Sequence, residues 1–224
     1  MSFSLEFLLN CFLEKCTNSL KSSKKMNENL LLIFTRNPEL GKVKTRLAKT
    51  IGAESALNIY KFLLKHTQKT TQNLSCDKSV YYSVKIREND IWDTKIFQKH
   101  KQLGSDLGER MENAFKDSLE LGYKKVLIIG SDLIDLSEKI IEEGFLQLET
   151  NDIVIGPAQD GGYYLLAMKN LPLNIFKNKD WGASTVRKDT MLDLKDKKVH
   201  LLEELNDIDV YEDLKNHNIF QKFL

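Results

Sequence analysis

The sequence predicts an α/β fold with a mostly parallel central sheet and helices on both faces, and three observations carry that prediction. Apolar runs of strand length recur along the chain from residue 30 onward. They alternate with longer stretches of helical periodicity, as βαβ units do. Two of the runs, residues 30–34 and 126–129, are apolar throughout, which suits strands buried on both faces.

Residues 30–34 form the first expected strand. A polar loop follows, then a short helix near Lys44 and a long one over 53–72, where Ala56, Leu57, Tyr60, Leu63 and Leu64 recur at helical spacing. Residues 79–84 read as a second strand. Residues 107–121 read as a helix with Met111, Ala114, Phe115 and Leu119 on one face. The strand at 126–129 ends on Gly130-Ser131-Asp132, and a helix over 137–148 leads to a strand at 153–155. The link from there to a strand at 163–168 is too short for a crossover, so this strand is expected antiparallel to a neighbour. A helix over 184–194, a strand at 199–202 and a helix over 210–216 complete the series. No internal repeat or low-complexity linker interrupts residues 26–224, and one domain is expected there.

Composition narrows the function classes. Hydrophobic residues make up 42% and charged residues 29% of the 224 residues, as in ordinary globular domains. Formal net charge is +1, so no global field draws the chain to nucleic acid or to an acidic membrane surface. An anionic ligand must then be gripped locally. Cys11, Cys16 and Cys76 are odd in number and contain no CxxC pair, which supports neither a disulfide framework nor a zinc knuckle. A reducing, cytoplasmic setting is expected. His66, His100, His200 and His217 are scattered, which argues against a histidine-ligated metal or a His-based triad. Residues 1–25 differ from the rest: an apolar patch including Leu5, Phe7, Leu8, Leu9, Phe12 and Leu13 precedes Lys21, Lys24 and Lys25. The patch is too short to span a bilayer, and the lysines follow it, the reverse of a signal peptide. A helical, dispensable extension is expected.

In open α/β sheets, ligands bind beyond the carboxyl ends of the strands, so the segments that follow the strands hold the candidate site. The loop after the first strand places Arg36, Lys42, Lys44 and Arg46 around Gly41 at the start of a helix. Free backbone N–H groups and cationic side chains make a phosphate cradle there, although the Walker A spacing is absent and a solvated basic loop has the same composition. Asp132 ends a buried strand and suits a hard divalent cation, while Asp135 and Glu138 have capping-box spacing. Asp207 and Asp209 follow the last strand; they suit the same cation, and Asp209 with Glu212 also has capping-box spacing. Asp160-Gly161-Gly162 reads either as a tight turn or as a place where a ligand approaches the backbone and Asp160 projects into the cleft. Gly104 and Asp106 precede a helix and suit a base or ribose pocket, with Asp106 equally an N-cap. Trp181-Gly182-Ala183-Ser184 suits a stacking site or a core tryptophan ahead of a cap.

Taken in order, the runs FTRNPELGKVKTRL, QLGSDLGERM, GSDLIDLS, GPAQDGGYYLLAM, WGAS and DIDVYEDL resemble the selenodomain- or radical-SAM-associated transferases of the nucleotide-diphospho-sugar transferase superfamily, which has the Rossmann-like GT-A fold. The resemblance spans residues 30–214. It implies that Lys44 and Arg46 hold nucleotide phosphates, with Gly41 allowing close approach. It also implies that Gly104 and Asp106 lie near base and ribose, that Asp132 and Asp209 hold Mg²⁺ or Mn²⁺ with Asp207 near, and that Asp160 faces the donor sugar or acceptor. Leu133-Ile134-Asp135 replaces the family's usual Cys-Pro-Asp, and Val210-Tyr211 replaces its Thr-Pro; both changes spare the carboxylates.

The expected activity is glycosyl transfer from a nucleotide-sugar to a small-molecule acceptor, with Asp160 as a base toward the acceptor hydroxyl. Two alternatives remain. One is a nucleotidyltransferase that joins an NTP to a phosphorylated small molecule and releases pyrophosphate. The other is a non-catalytic nucleotide-binding scaffold. Neither nucleic acid nor a membrane span is expected.

Overall fold

The computed structural model describes residues 27–172 and 174–224, so the helix expected within 1–25 lies outside the described residues. The strands are β1 (Asn29–Thr35), β2 (Asp77–Tyr82), β3 (Gln98–Lys101), β4 (Lys125–Ile129), β5 (Ile153–Pro157), β6 (Tyr163–Met168) and β7 (Val199–Leu201). The helices are α1 (Thr45–Ile51), α2 (Ala53–Thr71), α3 (Leu107–Glu120), α4 (Glu138–Gln147), α5 (Val186–Asp193) and α6 (Tyr211–Leu214), and a 3₁₀ turn over Asn218–Phe223 ends the chain.

The strands make one sheet in the order β3-β2-β1-β4-β6-β5-β7. All neighbours pair in parallel except β6, which runs antiparallel to both β4 and β5. The turn at 158–162 is the reason, since a parallel return needs a crossover of a dozen or more residues. This is the architecture the apolar runs predict, with the expected antiparallel strand in place.

Two cores sandwich the sheet, and alternation along β1 shows why. Leu31 and Ile33 point into one core beside Tyr60 of α2 and Ile141 of α4. Leu30 and Leu32 point into the other beside Met111 and Phe115 of α3. A strand buried on both faces needs apolar residues at every position, which is what β1 and β4 provide. Each such side chain contributes roughly 1.5–3 kcal/mol on burial. A third cluster joins Leu47 of α1, Ile59 and Leu63 of α2, Ile208 and Phe220, and fastens the C-terminal segment to the edge that carries the site.

Two elements depart from the expected pattern. β2 begins at Asp77, because Lys78 buries its stem and donates Nζ to the carbonyls of Leu74 (2.6 Å) and Cys76 (2.8 Å), so a charged residue stands where an apolar one would signal a strand. β3, sequence QKHK, has no apolar signal at all; it is a four-residue edge strand whose lysines and histidine oppose further pairing. The cap of α4 is Ser137, whose side chain accepts from Ile140 N, so the Asp135–Glu138 capping box does not form.

Strand order reverses between β1 and β4: the chain goes from β1 to β2 on one side and comes back to β4 on the other. Ile33 lies opposite Ile129, so the two strands end side by side. Ligands of open α/β sheets bind at such a switch point.

Candidate functional site

The loop after β1 is held at its root by three buried polar side chains. Asn37 donates Nδ2 to Lys85 O (2.8 Å), and its Oδ1 accepts from Val84 N (3.0 Å). Gln102 donates Nε2 to Thr35 O and Tyr81 O. Tyr60 of α2 accepts from Arg36 N at 2.9 Å. Arg36 itself is exposed, as are Gly41 and Arg46. Gly41 sits at φ 71 with open space where a Cβ would be, so it serves the left-handed turn that lets the loop double back.

The loop ends on Lys44, a non-glycine residue at φ 48 immediately before α1 and without a side-chain cap. Residues held in this region cost of order 1–3 kcal/mol and cluster at functional sites. Its side chain is 5% exposed and donates Nζ to Asp132 Oδ2 at 2.7 Å. Burial alone would lower the Lys44 pKa, but the Asp132 carboxylate, with Asp207 and Asp209 behind it, leaves it above the ordinary lysine value. Arg46, the second residue of α1, makes the parallel contact to Asp209 Oδ2, also at 2.7 Å. The two cations expected to hold phosphates are thus paired with two of the carboxylates expected to hold a metal.

Asp132 and Asp207 line one cavity of about 200 Å³ together with Asp160. Asp207 is pushed up to about 6, first by burial and then by the charges of Asp132, Asp160 and Asp209, which outweigh Lys44. No three histidine, cysteine, aspartate or glutamate side chains form a metal cage among the described residues. Mg²⁺ needs only one or two carboxylates when phosphate oxygens complete its shell. Asp132 and Asp207, repelling each other at the rim of a cavity, suit such a partial site. Asp209 is not among the cavity-lining residues. The capping role expected of it falls to Asp213, whose Oδ2 accepts from Asp209 N (2.8 Å) and Val210 N (2.7 Å), leaving the Asp209 carboxylate to Arg46.

Much of the remaining lining of the cavity is apolar and includes Leu107 and Met111 of α3, Tyr163 of β6, Trp181 and Val186. Asp160 caps its own turn, accepting from Gly162 N at 2.8 Å. Gly161 sits at φ 90, and a Cβ there would lie 2.1 Å from Ser184 O, so the turn packs directly on the backbone of the 181–184 segment. Trp181 packs on α3 because Gly108 leaves room: a Cβ at 108 would meet the indole at 2.5 Å. Gly104 and Asp106 serve α3 instead. Asp106 is its N-cap, accepting from Glu109 N (2.8 Å), and Gly104 lies against Arg110 N. Neither lines the cavity.

The fold therefore gathers Lys44, Asp132, Asp160, Asp207 and Gly162 at one edge, with Arg46 and Asp209 beside them and Arg36 and Gly41 on the loop above. Tyr60, Asn37 and Gln102 escape sequence reasoning. Tyr60 belongs to a helical apolar stripe and reads as core; the other two stand in polar segments without any periodic mark. A larger depression of about 640 Å³, lined by Lys116, Lys124 and Lys169 among others, lies beyond the amino end of β4, away from these groups.

Comparison with known proteins agrees with the fold. A candidate nucleotide-diphospho-sugar transferase from Desulfovibrio desulfuricans G20 has a solved structure that superposes with a TM-score of 0.76 at 28% identity, covering 88% of this chain and 91% of that one. The 4-diphosphocytidyl-2C-methyl-D-erythritol synthase of Anaerococcus prevotii shares the fold alone, with a TM-score of 0.54 at 13% identity over 87% of this chain and 96% of that one. The 2-phospho-L-lactate guanylyltransferase of Methanocaldococcus jannaschii is 29% identical over 140 residues, 60% of this chain, and the chain spans only 58% of that relative's length. A family model described as "Uncharacterized protein conserved in bacteria (DUF2064)" matches residues 66–183, which include Asp132, Asp160 and Trp181 but not the loop after β1. With over half of its length matched and the architecture of the nucleotide-diphospho-sugar transferases, this chain belongs to the DUF2064 family.

Proposed function

We propose that this chain is a metal-dependent nucleotidyltransferase that joins a nucleoside triphosphate to a phosphorylated small molecule and releases pyrophosphate. The observation that carries the reading is Lys44, strained at the end of a basic loop and buried against Asp132 where β1 and β4 reach the sheet edge. A cluster of Arg36, Lys42, Lys44 and Arg46 suits the charge of a triphosphate better than that of a diphosphate. The guanylyltransferase relative supports the same chemistry. Both outweigh the glycosyl transfer expected from the sequence. That reading keeps one support, the candidate nucleotide-diphospho-sugar transferase at 28% identity, and with it the kinship to selenodomain- or radical-SAM-associated transferases.

In the proposed reaction an oxygen of the acceptor phosphate attacks the α-phosphorus. The bond from that phosphorus to the bridging oxygen breaks, and pyrophosphate leaves with the electron pair. Lys44 and Arg46 exchange their carboxylate partners for phosphate oxygens and hold positive charge where negative charge develops. Asp132 and Asp207, with Asp209 nearby, would hold Mg²⁺ or Mn²⁺, which neutralises phosphate charge when bound. The acceptor body lies against the apolar wall of Trp181, Met111 and Tyr163. The attacking phosphate is already largely ionised at neutral pH, so Asp160 need not act as a base and instead holds the 160–162 turn.

The test is a pyrophosphate-release assay with each of the four common NTPs, Mg²⁺ or Mn²⁺, and a panel of phosphorylated acceptors that includes 2-phospho-L-lactate. Release with one triphosphate, lost in Asp132→Ala and largely kept in Asp160→Asn, is the expected result. Nucleoside diphosphate release from a nucleotide-sugar, abolished by Asp160→Asn, would replace the reading with glycosyl transfer. A nucleotide-induced thermal shift without release of either product would leave a non-catalytic nucleotide-binding scaffold, and absence of any shift would refute the reading.

A further inference from the structure

The Tyr60 hydroxyl lies at the junction of the two loops that form the site. It accepts from Arg36 N at 2.9 Å and donates within reach of Arg36 O at 3.1 Å. It also lies 3.2 Å from Thr35 Oγ1 and 3.4 Å from Ser131 Oγ. Thr35 and Arg36 close β1 and open the basic loop; Ser131 sits between the end of β4 and Asp132. The ring is 3% exposed and packs in the core between the sheet and α2. A phenylalanine would fill that space equally well, so the hydroxyl is not needed for packing.

We infer that Tyr60 is a positioning residue for the nucleotide half of the site: its hydroxyl sets the root of the basic loop against Ser131–Asp132 and so fixes the distance between the phosphate-binding cations and the metal-binding carboxylate. This rests on the proposed function. Three features argue for it. Every group the hydroxyl touches belongs to the end of β1 or to one of the two loops that meet at Lys44–Asp132. The contacts on the β1 side are to backbone as well as side chain, so they set the chain's path and not merely a rotamer. The acceptor wall of Trp181, Met111 and Tyr163 contributes none of the partners, so the effect of the hydroxyl is confined to one substrate.

The experiment compares wild type with Tyr60→Phe in the full chain. Dissociation constants for the triphosphate with Mg²⁺ are measured by calorimetry, and KM values for triphosphate and acceptor are measured separately. Loss of a buried hydrogen-bond network of this kind corresponds to about a tenfold change in an equilibrium constant. The expected result is a triphosphate Kd and KM raised about tenfold with acceptor KM within twofold of wild type. Circular dichroism confirms that the variant is folded. Equal rises in both KM values, or no change in either, would overturn the inference, since a structural role acts on both substrates alike. If wild type binds triphosphate but releases no pyrophosphate, the proposed function fails while the Kd comparison still decides the role of Tyr60; if wild type binds no triphosphate, both fail.

Discussion

Gly161→Ala is the substitution that tests most directly how the acceptor side of the site is built. Two costs add at this position. The φ of 90 is left-handed, and an L-residue there costs about 1–2 kcal/mol. The new Cβ would lie 2.1 Å from Ser184 O and 2.7 Å from Ser184 C. Those are backbone atoms and cannot rotate away. Arg187 N donates to Gly161 O and Gly161 N donates to Ala158 O, so moving the turn also breaks hydrogen bonds on both sides. Overpacking of this kind adds about 1–3 kcal/mol. The lower entropy of the unfolded alanine variant returns about 0.4–1 kcal/mol. The net loss is about 2–4 kcal/mol, or roughly 5–15 °C in Tm for a chain of this length. Gly182→Ala supplies the control: its φ is 100 and nothing lies within 4 Å of its Cβ position, so only backbone strain remains. That variant should lose about 1 kcal/mol, roughly 2–4 °C. Both are read by differential scanning calorimetry. Equal drops in the two variants would refute the claim that the 160–162 turn is seated on the Ser184 backbone.

Two further predictions concern single side chains. Lys44→Met should weaken triphosphate binding by about 10–100-fold, because a buried, charge-assisted hydrogen bond is worth about 1.5–3 kcal/mol, whereas Arg46→Met, at a side chain 67% exposed, should weaken it only a few-fold; calorimetric titration with the reverse order would exclude Lys44 as the principal phosphate ligand. The Cys76 thiol is pushed up to about 11, mainly by burial against α4, so it is almost wholly protonated at pH 8. Iodoacetamide should label it slowly in the native protein and rapidly in urea, as followed by peptide mass mapping; comparable rates in both would show that burial does not protect the thiol.

How much of this was legible beforehand depended on whether a residue's role follows from its own type and its near neighbours. β1 and β4 announce themselves because a strand buried on both faces must be apolar at every position. The antiparallel direction of β6 follows from the length of its link. The rule that the carboxyl ends of strands carry ligands gathers the carboxylates at 132, 160, 207 and 209 and the cations at 44 and 46 at one edge of the sheet, and the fold brings them together there. β3 has no such signal, since an edge strand of QKHK is held by its hydrogen bonds to β2 and not by burial.

Pairing was decided by the tertiary structure alone. Nothing in the chain indicates that Lys44 meets Asp132 across 88 positions or that Arg46 meets Asp209 across 163. Nor does local spacing say that Asp106 is spent on a cap while Asp207 stays in the cavity with Asp132 and Asp160. Tyr60 shows the limit most clearly. Its place in a helical stripe correctly makes its ring core, yet its hydroxyl acquires partners from Arg36 and Ser131 only when β1 and β4 come to lie side by side. Periodicity reports which face of an element is buried; which polar atoms meet at the end of a sheet depends on strand order, and strand order is a property of the whole fold.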